Sequence, residues 1–239
     1  MLGFLAEWLF PIECISCGKS GSWFCRECFE NIEFYPLNSC IFCGCFSFLG
    51  LTCNKCRTEK KLDGVFSYNS YKKIVLKKLI NNYKYNYVES LSQDLSLMVE
   101  TVIENIKKGQ AIGSLPLIID EKTLYFFVPL HKKRLRQRGF NQSFKILEDL
   151  SGRGMVENSF LAGGLFRNRY TAPQAKIDDN KERSLNLKNA FSYQGDSLNG
   201  KNIVLIDDVA TTGATLEECA KVLKAAGAKK VYGVCVARG

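Results

Sequence analysis

The chain has 239 residues, a hydrophobic content of 46% and a formal net charge of +9, enough for one α/β domain with a small appendage. No run of 18 apolar residues occurs, which excludes a long apolar helix of the membrane-crossing kind. No low-complexity stretch argues for disorder, and the basic balance suits phosphates or nucleic acid as partners without selecting either.

The opening MLGFLAEWLF is apolar, but it lacks a basic start, carries Glu7 and runs into Pro11 without a small-residue cleavage site. It reads as an amphipathic or partner-facing segment, and the expected compartment is the cytoplasm. Nine of the eleven cysteines fall between Cys14 and Cys56. Eight form four Cys-x-x-Cys pairs: Cys14 and Cys17, Cys25 and Cys28, Cys40 and Cys43, Cys53 and Cys56. This spacing lets two sulfurs of a pair reach one tetrahedral zinc ion at about 2.3 Å. Gly18 and Gly44 follow the first and third pairs, where the tight turn of a zinc knuckle favours positive φ. Sequential pairing into a double zinc ribbon is the simplest arrangement, and an interleaved one stays open. A disulfide scaffold would need an exported chain. Two occupied sites would bring the net charge to roughly +5, since metal-bound thiols are deprotonated. A segment this short has too little core to fold alone, so the expected role of zinc is structural first. Cys45 is an odd ninth thiol outside the pairs. The expected division is a zinc-binding module over residues 1–60 and a second domain over 61–239.

Gly64 to Tyr71 predicts a strand or hairpin. Lys72 to Lys84 predicts a basic amphipathic helix, with Lys72, Lys73, Lys77 and Lys78 as candidate contacts to nucleic acid. Tyr83, Tyr85 and Tyr87 follow, and cations interleaved with aromatics can track a single strand by stacking and phosphate contacts. A solvated helix face with tyrosines in the core is the plainer alternative. Glu89 to Lys108 carries apolar residues at helical spacing and predicts a core helix. Leu124 to Leu130 predicts a buried strand, leading into a basic loop with five positive charges from Lys132 to Arg138. Cations so crowded call for an anion or open solvent, and a strand end is where an open α/β sheet places its ligands. His131, the only histidine, is a candidate phosphate contact there. Gly139 to Leu150 predicts a helix.

Residues 159–166 predict a strand. The polar run from Arg167 to Arg183 has the character of a lid loop, and Arg183 to Phe191 predicts a short helix. The apolar run Ile203 to Ile206 predicts a buried parallel strand ending in two carboxylates, Asp207 and Asp208. Val209 to Thr215 forms a loop of small and hydroxyl residues feeding an amphipathic helix from Leu216 to Ala226. Free N–H groups and the helix dipole suit a phosphate there, while the paired acids suit sugar hydroxyls, magnesium or both. Lys229 to Ala237 predicts a closing strand.

Ile203 to Thr215, IVLIDDVATTGAT, resembles the phosphoribosyl-diphosphate (PRPP) motif of type I phosphoribosyltransferases. Together with the Cys-x-x-Cys pairs, VPLHKKRLRQRGFNQS and RYTAPQAKIDDNKER, it looks like the ComF family of competence proteins, over nearly the whole chain. The resemblance implies an α/β fold: a type I phosphoribosyltransferase-like domain with a parallel-sheet core, preceded by a small zinc-ribbon module. It implies that Asp207 and Asp208 contact ribose hydroxyls and, directly or through water, magnesium. Thr211, Thr212, Gly213, Ala214 and Thr215 would cradle the 5′-phosphate. His131, Lys132, Arg134 and Arg136 would lie on the pyrophosphate side, with Arg138 near them as a further nucleic-acid candidate. Arg167 and Arg183 would belong to the flexible loop. Such enzymes displace pyrophosphate from the anomeric carbon, helped by positive groups and magnesium, and nothing in the sequence names an acceptor.

Three readings follow. In the favoured one the chain is a PRPP-binding competence protein that handles internalised single-stranded DNA in natural transformation. In the second it transfers phosphoribose to an unidentified acceptor. In the third the zinc module docks a competence helicase-like or DNA-uptake protein.

Overall fold

The computed structural model describes residues 11–86, 88–116, 118–156, 163–171 and 187–239. The N-terminal segment 1–10, Tyr87, Arg183 and most of the expected lid loop lie outside the described residues. Among the described residues no helix is long and apolar enough to cross a membrane.

Two small cysteine modules come first, and they are built alike. In the first, one antiparallel bridge joins Glu13 to Ser20, and the Gly18 N–H donates to the Cys14 carbonyl at 2.8 Å. In the second, the bridge joins Ser39 to Phe46, and the Gly44 N–H donates to the Cys40 carbonyl, also at 2.8 Å. Gly18 and Gly44 take φ of 78° and 72°, the conformation a side chain would strain. Each module ends in a helical turn that begins just after its third cysteine, α1 (Arg26–Glu30) and α2 (Asn54–Arg57).

The larger part of the chain is a four-stranded parallel sheet flanked by helices. Its strands are β1 (Gly64–Ser70), β2 (Leu124–Phe127), β5 (Asn202–Ala210) and β6 (Lys230–Arg238), in the order β1-β6-β5-β2. All three pairings are parallel, with Val204 opposite Tyr232 and Phe126 opposite Leu205. Residues 64–70 thus form one strand of this sheet rather than a hairpin. Parallel strands covered on both faces read as unbroken apolar runs, and Ile203, Val204, Leu205 and Ile206 are fully buried. The strand expected to stop at Ile206 continues through Asp207 and Asp208 to Ala210, because β6 keeps pairing with it as far as Arg238.

One face of the sheet is covered by α3 (Ile74–Tyr85), α4 (Leu91–Ala111) and α6 (Gln142–Gly152). The other is covered by α7 (Ala214–Ala225) and an antiparallel pair, β3 (Gly163–Arg167) and β4 (Phe191–Gly195). Gly233 in β6 lets α7 lie close, since a Cβ there would meet Leu216 Cδ1 at 2.7 Å. The basic segment expected as a loop is a short helix, α5 (Lys132–Arg138). Lysine and arginine are good helix formers, and most of their heads reach solvent, so crowding of charge did not prevent the turn.

Candidate functional site

The carboxyl ends of the parallel strands open into one cleft. Its floor is the end of β5, with Asp207 and Asp208, and its rim is the loop Thr211, Thr212 and Gly213 running into α7. Gly213 sits at φ 74° as the residue before the helix, and a Cβ there would lie 3.0 Å from Ile41 and 3.3 Å from the Phe42 ring. The second cysteine module therefore rests on the anion loop through the two residues between Cys40 and Cys43.

The acid pair is unequal. Asp207 Oδ1 accepts from the Ser143 hydroxyl and from the Asp208 N–H, both at 2.9 Å. Burial first, and the neighbouring Asp208 charge second, push the Asp207 carboxyl up to about 7. Asp208, buried, is ion-paired to Lys84 Nζ at 2.9 Å. Burial lowers the Lys84 pKa, yet the charge of Asp208 outweighs it and the net shift is upward, so the ammonium persists. A lysine expected on a surface helix face is in this way part of the cleft. The signal for it was local: Asn81, Lys84 and Tyr85 share one polar stripe of α3 at helical spacing.

Three arginines from two segments, α5 and the end of β3, enclose the opposite side. Arg134 donates to the Thr171 carbonyl at 2.8 Å, and its pKa is lowered by burial and then by Arg138. Arg138 contacts Gln142 Oε1 at 3.0 Å and covers the Tyr85 ring at 5.4 Å. Arg167 is almost fully buried, donates to Thr171 Oγ1 at 2.5 Å, and is pushed down to about 10 by burial first and Arg134 next. Arg167 Nε and Gln142 Nε2 are buried donors without a partner among the described residues. Such donors are costly unless something accepts from them, and both belong to side chains lining this cleft.

Other expected positions fall elsewhere. His131 is the N-cap of α5: its Nδ1 accepts from the Lys133 N–H at 3.2 Å, and its ring packs edge-on against Tyr170. It does not line the cleft, and capping explains it. Lys132 and Arg136 are exposed and off the cleft wall, as are Lys72 and Lys73 just before α3 and Lys77 and Lys78 on its outer face. Ala214 and Thr215 are in place at the start of α7. Tyr83 is core, its hydroxyl donating to the Gln142 carbonyl at 2.9 Å. Sequence reading gave no role to Lys84, Gln142 or Ser143: the last two close the stretch VPLHKKRLRQRGFNQS, and only packing of α3 and α6 beside the end of β5 brings all three to the cleft.

The eight paired cysteines form two groups, Cys14, Cys17, Cys25 and Cys28, then Cys40, Cys43, Cys53 and Cys56, with the sulfurs of each group within 4.8 Å of one another. Cys17 and Cys25 Sγ are 3.7 Å apart, Cys43 and Cys53 Sγ 3.5 Å. A tetrahedral zinc with bonds of about 2.3 Å needs sulfur edges of roughly 3.8 Å. The grouping is sequential, and both groups can hold zinc. Cys45 lies 3.2 Å from the Cys43 sulfur but outside the group of four. The acid pair differs. With Asp208 held by Lys84, and Asp207 Oδ1 already accepting from Ser143 and the Asp208 N–H, it does not fit a bare magnesium ion.

Residues 173–239 match the phosphoribosyl transferase domain family. The chain is 27% identical to competence protein F of Haemophilus influenzae over 232 residues, covering 93% of this chain and 95% of that protein. It is 37% identical over 111 residues to the DNA utilization protein YhgH of Escherichia coli, 46% of this chain and 47% of that one, so it spans about half the length of that relative. A 76-residue match at 37% identity reaches a ribose-phosphate pyrophosphokinase of Wolinella succinogenes, 30% of this chain and 24% of that enzyme. Sheet, cleft and cysteine groups together define a phosphoribosyltransferase-like protein with two zinc-ribbon-like modules. Over nearly its whole length the chain is a homologue of competence protein F.

Proposed function

We propose that this chain binds PRPP in the cleft above β5 and handles internalised single-stranded DNA in natural transformation. The observation that carries the ligand is the convergence of an acid pair, a helix-capping phosphate loop and three arginines around two orphaned buried donors. The loop and the N-terminus of α7 receive the 5′-phosphate. Asp207 and Asp208 accept from ribose hydroxyls, and Arg134, Arg138 and Arg167 face the diphosphate, which brings its magnesium with it. Residues 61–239 are the ligand-binding domain in this reading and residues 1–60 its zinc module.

The strand reading is supported by the exposed Lys72 and Lys73 just before α3 and by Lys77 and Lys78 on α3, whose far end carries Tyr85. That ring is 56% exposed beside Arg138, a platform on which a base can stack. The names of the two DNA-related relatives point the same way. Calorimetry with PRPP and magnesium tests the ligand: binding is expected, and Asp207→Asn/Asp208→Asn is expected to abolish it. Gel shift with single-stranded DNA over a salt series tests the partner, with a steep loss of affinity as salt rises. No binding near physiological salt would remove that part of the reading.

Phosphoribosyl transfer to an acceptor is the second reading, favoured by the two adjacent carboxylates at the cleft floor. Pyrophosphate released only when an acceptor is supplied would establish it. A helicase-like or DNA-uptake partner docked by the cysteine modules is compatible with either reading, and pull-down with Cys14→Ser/Cys17→Ser tests it.

A further inference from the structure

We infer that Lys84 is a built-in cation for the acid pair, so that a phosphorylated ribose binds the cleft without any divalent ion at the carboxylates. The inference rests on the reading that the cleft takes a phosphoribosyl ligand. Lys84 Nζ lies 2.9 Å from Asp208 Oδ1, with the two side chains only 17% and 7% exposed. A divalent ion at that oxygen would have to expel the ammonium into a cleft already lined by Arg134, Arg138 and Arg167. Two cations on one carboxylate repel, while one ammonium on one carboxylate is a satisfied pair.

The rest of the wall fits a resident ammonium. Lys84 is held by α3, one turn beyond Asn81, whose Oδ1 accepts from the Tyr71 hydroxyl at 3.2 Å, and all three residues line the cleft. The ammonium holds Asp208 oriented, ready to accept from a sugar hydroxyl. Four cations against two carboxylates leave a positive surplus, which an anionic phosphate offsets without added metal. The magnesium that accompanies PRPP then serves the diphosphate, not the acids. Lys84 is accordingly a positioning residue.

The probe that separates the two roles of metal is ribose 5-phosphate, which has no diphosphate. Its affinity is measured by calorimetry in EDTA and in magnesium, beside PRPP. Wild type is expected to bind ribose 5-phosphate within about threefold of the same affinity in both media. Lys84→Gln is expected to bind about tenfold more weakly in EDTA, about 1.4 kcal/mol, and to regain affinity in magnesium. Because that variant leaves a buried carboxylate unpaired, Lys84→Gln/Asp208→Asn is measured as well, with thermal melts to confirm folding. It is expected to be weak in both media. Binding of ribose 5-phosphate by wild type only in magnesium overturns the inference and leaves the PRPP reading standing. So does undiminished binding in EDTA by either variant. Failure of wild type to bind PRPP or ribose 5-phosphate in any medium overturns both.

Discussion

The two cysteine modules share their knuckle turns, their single bridge and their helical ends, yet they rest on different things. The first packs through Cys14, Phe24 and Ile32 onto the apolar cluster under α3, α4 and α6. The second presses Ile41 and Phe42 against the cluster under α7 and touches Gly213 in the phosphate loop. Arg238 at the end of β6 adds to the second contact, donating to Ser39 Oγ at 2.5 Å and to the Leu37 carbonyl at 3.4 Å. The same local fold is thus a prop for the core in one place and a support for the ligand loop in the other. In the second module it is the two residues between its first two cysteines, Ile41 and Phe42, that reach the loop.

Removing metal from each module in turn gives the largest expected separation. Cys40→Ser/Cys43→Ser should lose one of two zinc ions and weaken PRPP binding at least tenfold, about 1.4 kcal/mol, because the loop loses its backing. Cys14→Ser/Cys17→Ser should lose one zinc and some thermal stability while the remaining folded protein binds PRPP within about threefold of wild type. Zinc content by metal analysis and binding by calorimetry check this pair. Equal losses of binding from both would erase the distinction between the modules.

A smaller and more local effect is expected at the contact itself. Gly213→Ala places a Cβ at positive φ, costing roughly 1–2 kcal/mol, and also drives it against Ile41. For a chain of this size each kcal/mol lowers Tm by roughly 2–4 °C. Combining it with Ile41→Ala should return part of the loss, because the crowding is relieved and the backbone strain is not. Additive effects in the double variant would mean that module and loop are not coupled.

Much of this site was legible because its parts are contiguous. A β-branched run, two acids and a small-residue loop lie within Ile203 to Thr215, and each needs only its neighbours to be read. The cysteine grouping was legible for the same reason, since ligand pairs at fixed spacing carry their own geometry. What escaped depends on packing between distant segments. Lys84 looked like one more charge on a solvated helix, and the polar stripe it shares with Asn81 and Tyr85 does not by itself say that α3 points its last turn at β5. His131 looked like a phosphate ligand at a strand end, but α5 begins at the next residue and its orphan N–H takes the imidazole as a cap. The continuation of β5 through Asp207 and Asp208 was likewise hidden, because it is set by where β6 ends. The contact of Ile41 and Phe42 with Gly213 joins positions so far apart that no local pattern could have shown it.

Protons offer a way to tell the modules from the cleft they serve. Acid protonates thiolates, so lowering the pH weakens zinc in both modules alike. Asp207 acts in the opposite direction. Its folded pKa, about 7, is raised above its ordinary value of 3.8, so the folded state holds the proton more tightly. The resulting contribution to stability is complete below about pH 4 and is lost as pH rises through about 7. Thermal melts between about pH 6 and 8 should show this loss in wild type and a flatter profile in Asp207→Asn. The same flattening should appear when either cysteine module has been altered. Parallel profiles for wild type and Asp207→Asn would contradict the placement of that carboxyl.

The smallest expected effect lies at the outer edge of the second module. Lys60 Nζ sits 5.3 Å from the centre of the Phe42 ring, on the side chain that backs Gly213. A cation over an aromatic face at a partly exposed site contributes about 0.5–1 kcal/mol. Lys60→Ala should therefore lower PRPP affinity about twofold to threefold if the ring needs that hold to press on the loop. Lys60→Arg should preserve affinity, since a guanidinium covers the same face. The first module has its own exposed pair, Arg26 with Glu30 at 2.7 Å, and Arg26→Ala should leave PRPP binding unchanged because nothing on that helix reaches the loop. Calorimetry on the three variants resolves shifts of this size. An effect of Arg26→Ala as large as that of Lys60→Ala would mean that ligand binding senses the whole cysteine region rather than the one knuckle that touches Gly213.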